Sequence, residues 1–173
     1  IGVSDQADEN TFYWNLTNLI QVRNMSINAG TIYTIAQTDP SGVRVVTNNA
    51  GNEVHTTSFA NQSPQFWRLD PVDQNTYTIA NKATGLVLDG DPQGSIRANT
   101  KNTPGSSSDY QTWFFDLLSN GFYSIRNKAT GLRLWAQASS DEVGGKPADT
   151  ASSEQQWAML DSSLASAIPN KVE

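Results

Sequence analysis

The stretch Tyr77 to Leu86, YTIANKATGL, returns as YSIRNKATGL at Tyr123 to Leu132, identical at 8 of 10 positions. The offset is 123 − 77 = 46, and the same 46 separates Gln65-Phe66-Trp67 from Gln111-Thr112-Trp113. Gln155-Gln156-Trp157 follows 44 residues later. Two kinds of marker recurring in register mean that one structural unit is repeated. A third, weaker copy begins at Tyr33 (YTIAQTDPSGVRV), where a Pro-bearing turn is one residue longer before Gly42. From this Tyr to the Trp of Gln-x-Trp the copies run 34, 36 and 34 residues, so the three units are of nearly one size.

Inside a unit, short apolar-alternating runs are separated by clusters of Gly, Pro, Asn and Asp, the pattern of strands and turns. In the second unit the runs are Tyr77 to Ala80, Leu86 to Asp89, Ser95 to Asn99 and Trp113 to Leu117. Four strands in each of three units predict an all-β protein of twelve strands in three pseudo-symmetric repeats, about 30–68, 74–114 and 120–158. Period-2 alternation turns Leu86 with Leu88, Leu132 with Leu134, and Val43 with Val45 inward, and places Val46, Asp89 and Trp135 on the outward phase.

Outside the repeats, residues 1–28 form an extension with an acidic start (Asp5, Asp8, Glu9) and an apolar middle (Phe12, Tyr13, Trp14, Leu16, Leu19, Ile20). That middle is expected to pack on the domain or on a partner, which offers a route to homo-oligomers. Residues 162–173 read as a Ser/Ala-rich C-terminal tail.

With 173 residues and no Cys, the chain needs no disulfide to hold a core, and thiol chemistry is excluded. A net charge of −6 argues against nucleic acid as a partner. No apolar run approaches a membrane span, so no insertion is expected. Ile1 is not an initiator Met, which points to processing or trimming, and no targeting segment can be read. Three N-x-[ST] sequons occur no more often than composition predicts, leaving the compartment open between secreted and cytoplasmic, with secretion favoured.

Three Gln-x-Trp motifs about 45 residues apart, each following a strand of the Gly-Leu-x-Leu type, resemble the ricin B-chain-like β-trefoil lectins. Among these the mushroom lectins look nearest, since they too lack disulfides and begin on a GTYTI-like strand, here Gly30 to Ile35. The resemblance covers roughly 30–161 and implies a β-trefoil at 29–161. It also implies that Trp67, Trp113 and Trp157 are core residues. A galactose site in this family combines an Asp just after the second strand, an aromatic platform about fifteen residues on, an Asn before Gln-x-Trp, and help from the Gln. The Asp accepts from two sugar hydroxyls while the ring covers the apolar sugar face.

Only the second unit keeps that Asp, as Asp89; its platform falls near Asn99, and Tyr110 rather than Asn precedes Gln111. Arg97 and Asn102 complete the candidate set of unit two. In unit three Trp135 stands at the Asp position, with Asp141 on the following loop and Gln155 in the motif. Its ring is expected to stack a sugar, to lie under the N-terminal extension, or to meet a partner. Unit one has Val46 at the Asp position, and its Asn48, Asn49, Asn52 and His55 read as turn and surface residues.

Catalysis is not expected: His55 is the only His, no paired metal ligands or phosphate loop exist, and no carboxylate pair is marked out. No metal or other cofactor is implied. Two functions of different class remain. One is a lectin binding glycans, of galactose type or N-acetylated, through its repeat loops. The other is a protein-binding trefoil, a protease inhibitor or lectin-like accessory subunit, with degenerate sugar sites.

Overall fold

A computed structural model of the chain describes residues 26–39, 42–137, 140–149 and 151–163. The apolar stretch at 12–20 and the tail from 164 lie outside the described residues, and so do the expectations attached to them. The described residues form twelve strands: β1 (Ile32–Asp39), β2 (Gly42–Thr47), β3 (His55–Ser58), β4 (Trp67–Asp73), β5 (Thr76–Asn81), β6 (Val87–Gly90), β7 (Ile96–Asn99), β8 (Trp113–Leu117), β9 (Tyr123–Asn127), β10 (Arg133–Ala136), β11 (Val143–Lys146) and β12 (Ala158–Asp161). In unit two, the strands lie within a residue or so of the runs read from alternation.

Six strands close into a barrel. β1 pairs with β12 and β4, β4 with β5, β5 with β8, and β8 with β9. The ring is completed where Tyr123 and Trp157 exchange backbone hydrogen bonds of 2.8 and 2.9 Å. Three equivalent pairs thus join successive strands: Tyr33 with Trp67, Tyr77 with Trp113, and Tyr123 with Trp157.

The other six strands form hairpins β2–β3, β6–β7 and β10–β11. Each hairpin bonds to the next at an equivalent position: Ala98 N to Asn52 O, Gly145 N to Gly94 O, and Thr56 N to Asp141 O, at 2.9, 2.8 and 3.0 Å. This ring of hairpins capping a six-stranded barrel is the β-trefoil with its pseudo-threefold symmetry.

The repeated residues explain themselves in this frame. Trp67, Trp113 and Trp157 are at most 1% exposed, and each indole N–H donates to the second strand of its own unit. The acceptors are the carbonyls of Val46, Leu88 and Leu134, at 2.9, 3.0 and 3.0 Å. A buried indole must satisfy its donor, so each Trp fills the core and fixes the hairpin strand over it.

The NKATGL repeat is a turn latch. The Asn81 carboxamide oxygen accepts from Ala83 N and Thr84 N, and its Nδ2 donates to Pro64 O of the preceding unit. Asn127 does the same with Ala129 N, Thr130 N and Tyr110 O. Gly85 and Gly131 close these turns at φ of +74° and +71°, where a Cβ would be strained. Unit one replaces the Asn with Gln37, whose Nε2 reaches Glu154 O at 2.8 Å.

One expectation from alternation is corrected. Val46 is fully buried in the main core, whereas Val45 packs in a satellite cluster with Ala36, Ala158 and Leu160. A turn one residue longer before Gly42 sets Gly42 level with Gly85 in the alignment of the repeats, but Gly42 continues the β1–β2 ladder opposite Asp39. The offset between paired strand positions is 45 − 36 = 9 in unit one and 87 − 80 = 7 in unit two. Because strand side chains alternate, a frame displaced by one residue exchanges the two faces. The structural equivalents are therefore Val46, Leu88 and Leu134 inside, followed by Thr47, Asp89 and Trp135. The outward assignment of Trp135 is corrected as well, since the ring is only 6% exposed.

Candidate functional site

Each motif Gln clamps the loop after its hairpin. Gln65, Gln111 and Gln155 accept through Oε1 from the backbone N–H of Ala60, Asn102 and Asp149, at 2.8, 2.7 and 2.9 Å. Their Nε2 groups donate to the carbonyls of Ser58, Thr100 and Pro147, at 2.8, 3.0 and 2.8 Å. All three are buried, so the Gln is first a structural residue.

The three equivalent candidate positions then diverge. In every unit the residue at the Asp position touches the residue at the platform position on the neighbouring strand of the hairpin. In unit one both are Thr, and the Thr47 and Thr57 hydroxyls lie 2.7 Å apart. Thr47 is 2% exposed and its hydroxyl also donates to Val45 O, so this position is closed.

Unit three is closed differently. The Trp135 indole N–H donates to Glu154 Oε2 at 2.7 Å, and Glu154 is the residue preceding Gln155. Lys146, at the platform position, sets its Nζ 3.6 Å from the centre of the Trp135 ring, a cation–π contact. One face of the ring is thus covered by this chain's own ammonium and its polar edge is satisfied by its own carboxylate. Trp135 thus packs on Lys146 and Glu154 of its own unit, a contact that none of the three expectations named, and the apolar stretch of the N-terminal extension lies outside the described residues. Asp141 does not join it: its carboxylate pairs with Arg44 of β2, and its carbonyl belongs to the hairpin ring. Gln155 serves its loop.

Unit two alone keeps a carboxylate. Asp89, the penultimate residue of β6, is partly exposed, and its Oδ2 accepts from Asn99 Nδ2 and from Gln111 Nε2, each at 3.0 Å. Both contacts from the described residues fall on Oδ2, and none of them takes Oδ1. Arg97 lies directly across the β6–β7 ladder from Asp89 and is exposed. Asn102 borders the same group, with its Nδ2 on Ser107 O at 3.2 Å. Tyr110 is half-buried on the 3₁₀ turn Ser106–Gln111, immediately before the Gln that reaches Asp89. The structure thus gathers Asp89, Asn99 and Gln111, with Arg97 across the ladder and the Asn102 backbone N–H on the Gln111 carboxamide, while Tyr110 adjoins Gln111 in the chain and gives its carbonyl to Asn127.

Asn52 is a participant that its position in the sequence did not reveal. Its Nδ2 crosses from unit one to bond Asn99 Oδ1, beside the Asn52 O to Ala98 N backbone bond. Asn99 is therefore held on both sides and turns its remaining amide toward Asp89. Within unit one the Asn52 position reads as a hairpin turn, and nothing local marks a contact to the next repeat. Asn48 does act as a turn residue, its Nδ2 donating to Gly51 O and Glu53 O.

Residues 10–105 match the family model of the ricin-type beta-trefoil lectin domain-like family. No curated protein sequence matches the chain significantly. Among solved structures, a designed threefold-symmetric protein, ThreeFoil, is similar at TM-score 0.62 and 20% identity, over 75% of this chain and 98% of that one. A mosquitocidal holotoxin is similar at TM-score 0.66 and 23% identity, over 78% of this chain and 18% of that one. The Polyporus squamosus lectin, bound to the epitope Neu5Aca2-6Galb1-4GlcNAc, gives TM-score 0.64 and 22% identity, over 79% of this chain and 50% of that one. This chain therefore spans about half of that lectin and under a fifth of the toxin. At these identities the likenesses speak for the fold alone.

Proposed function

Because the chain belongs to the ricin-type β-trefoil lectin-like family, we propose that it is a non-catalytic carbohydrate-binding lectin with one recognition site, in unit two around Asp89. The observation that carries this reading is the difference between three equivalent positions. Thr47 and Trp135 are buried and engaged, whereas Asp89 keeps a partly exposed carboxylate of which, among the described residues, only Oδ2 is taken.

A carboxylate fixed on one oxygen accepts from adjacent sugar hydroxyls with its orientation already set, so little rotamer entropy is lost on binding. Arg97 and Asn102 supply donors for further hydroxyls or an N-acetyl carbonyl. Asn99 offers no ring, so Tyr110 is the candidate to cover the apolar face of the sugar. The chain's net charge of −6 disfavours anionic glycans and favours neutral termini of galactose or N-acetylhexosamine type.

A second reading, a protein-binding trefoil, is favoured by the closure of units one and three. A glycan array separates the two, followed by titration calorimetry with the best glycan. Saturable binding to one neutral class at one site per chain supports the lectin; silence across the array favours the protein-binding reading. Three equivalent sites would contradict the assignment of Thr47 and Trp135 as closed.

A further inference from the structure

A groove of about 650 Å³ opens between β8, β9 and the β4–β5 turn, well away from Asp89 in the hairpin ring. Its floor is aromatic. Phe115 stands edge-on between Tyr77 and Tyr123, at ring distances of 5.8 and 6.3 Å, and Leu117 at the rim is 48% exposed. The polar rim is anchored by Arg126, which bonds Asp116 at 3.0 Å and lies 4.0 Å from the centre of the Phe114 ring.

Ile27 is itself a wall of this groove and packs on the core, and Asn28 N donates to the Tyr33 hydroxyl at 3.0 Å. The first described residues of the chain are therefore fixed at the groove's mouth. The apolar run Phe12, Tyr13, Trp14, Leu16, Leu19 and Ile20 ends a short tether before them in the sequence.

We propose that the segment 12–20 of this same chain docks in the groove and completes the domain. From Ile20 to Ile27 is 27 − 20 = 7 steps, so the near end of the run lies within about 23–25 Å of the anchored Ile27 even when the tether is fully extended. The match to the family model starts at residue 10, so the segment belongs with the domain rather than preceding it. A short tether also holds the segment near millimolar effective concentration, well above that of a second copy in dilute solution. Burying rings and leucines on an aromatic floor is the driving force.

The absence of native Cys makes the test direct. In the full-length chain, Leu117→Cys is combined in turn with Phe12→Cys, Trp14→Cys, Leu16→Cys or Leu19→Cys, and oxidation is followed at dilute concentration. At least one pair should close within the monomer about tenfold faster than the same segment position paired with Gln93→Cys in the distant β6–β7 turn. Closure no faster than that control overturns the proposal. Cross-linked dimers in place of closed monomers also overturn it, since a second copy then occupies the groove. As a second measurement, Leu16→Asp with Leu19→Asp in the full chain should raise the fluorescence of an apolar dye, while binding to the array-selected glycan stays constant. Unchanged dye binding is the contrary result.

Discussion

Replacing Asp89 by Asn changes one atom on the face that a sugar would read. The carboxylate's Oδ2 receives two N–H donors, from Asn99 and Gln111, each at 3.0 Å. Those donors fix how an introduced carboxamide must sit: its oxygen takes the Oδ2 place, because an NH₂ there would face two other NH₂ groups. The new NH₂ therefore lands where Oδ1 was, turning the outward acceptor into a donor. A hydroxyl bonded to an ionised acceptor is worth about 1.5–3 kcal/mol, so affinity should fall about tenfold or more. The fold also feels the change, since two charge-assisted bonds become neutral ones. With the group partly exposed, the net loss should be about 1 kcal/mol, or roughly 2–5 °C in Tm. Calorimetric titration with the array-selected glycan gives the first number and thermal unfolding the second. Affinity unchanged within about twofold, in a variant that has lost the expected stability, would show that Asp89 holds the loop and nothing else.

Trp113→Ala removes a core ring 1% exposed together with its bond to Leu88 O; denaturant unfolding should show a loss of about 3–5 kcal/mol, and a loss below about 1 would mean that the site collapses around the gap. Gly94→Ala places a Cβ 2.5 Å from Gly145 O at a φ of +88°, so it should cost about 1–3 kcal/mol by strain and disturb the hairpin ring, visible as shifted amide resonances in β10–β11. Burial, then the neighbouring Tyr33 and Tyr77, raise the Tyr123 phenol above its ordinary range. A raised folded value means that the unfolded chain ionises first. Stability should accordingly be full below about pH 10 and decline as pH rises through the folded value, with Tyr123→Phe flattening that decline in chemical unfolding curves.

The alternation, the 46-residue offset and the Gln-x-Trp spacing were enough to establish an all-β chain of three equal units, because each is a local property of strand and turn residues. Asn81 and Asn127 could be recognised as repeats, though their second role, reaching back to the preceding unit, needed the assembled barrel. The hairpin frame of unit one is not legible in the sequence, because glycines of different roles look alike there. Gly85 closes a turn and Gly42 extends a ladder, a distinction set by which residue lies opposite. The fate of the three candidate positions was likewise tertiary. Trp135 draws its cover from Lys146 and Glu154, and Asn99 is aimed by Asn52 across a repeat boundary. Composition and periodicity act along the chain and show that side chains alternate between two faces, but a turn whose length shifts the frame by one residue exchanges those faces. Whether a face is open to a ligand depends on partners brought in from other strands, and only the closed barrel with its ring of hairpins supplies them.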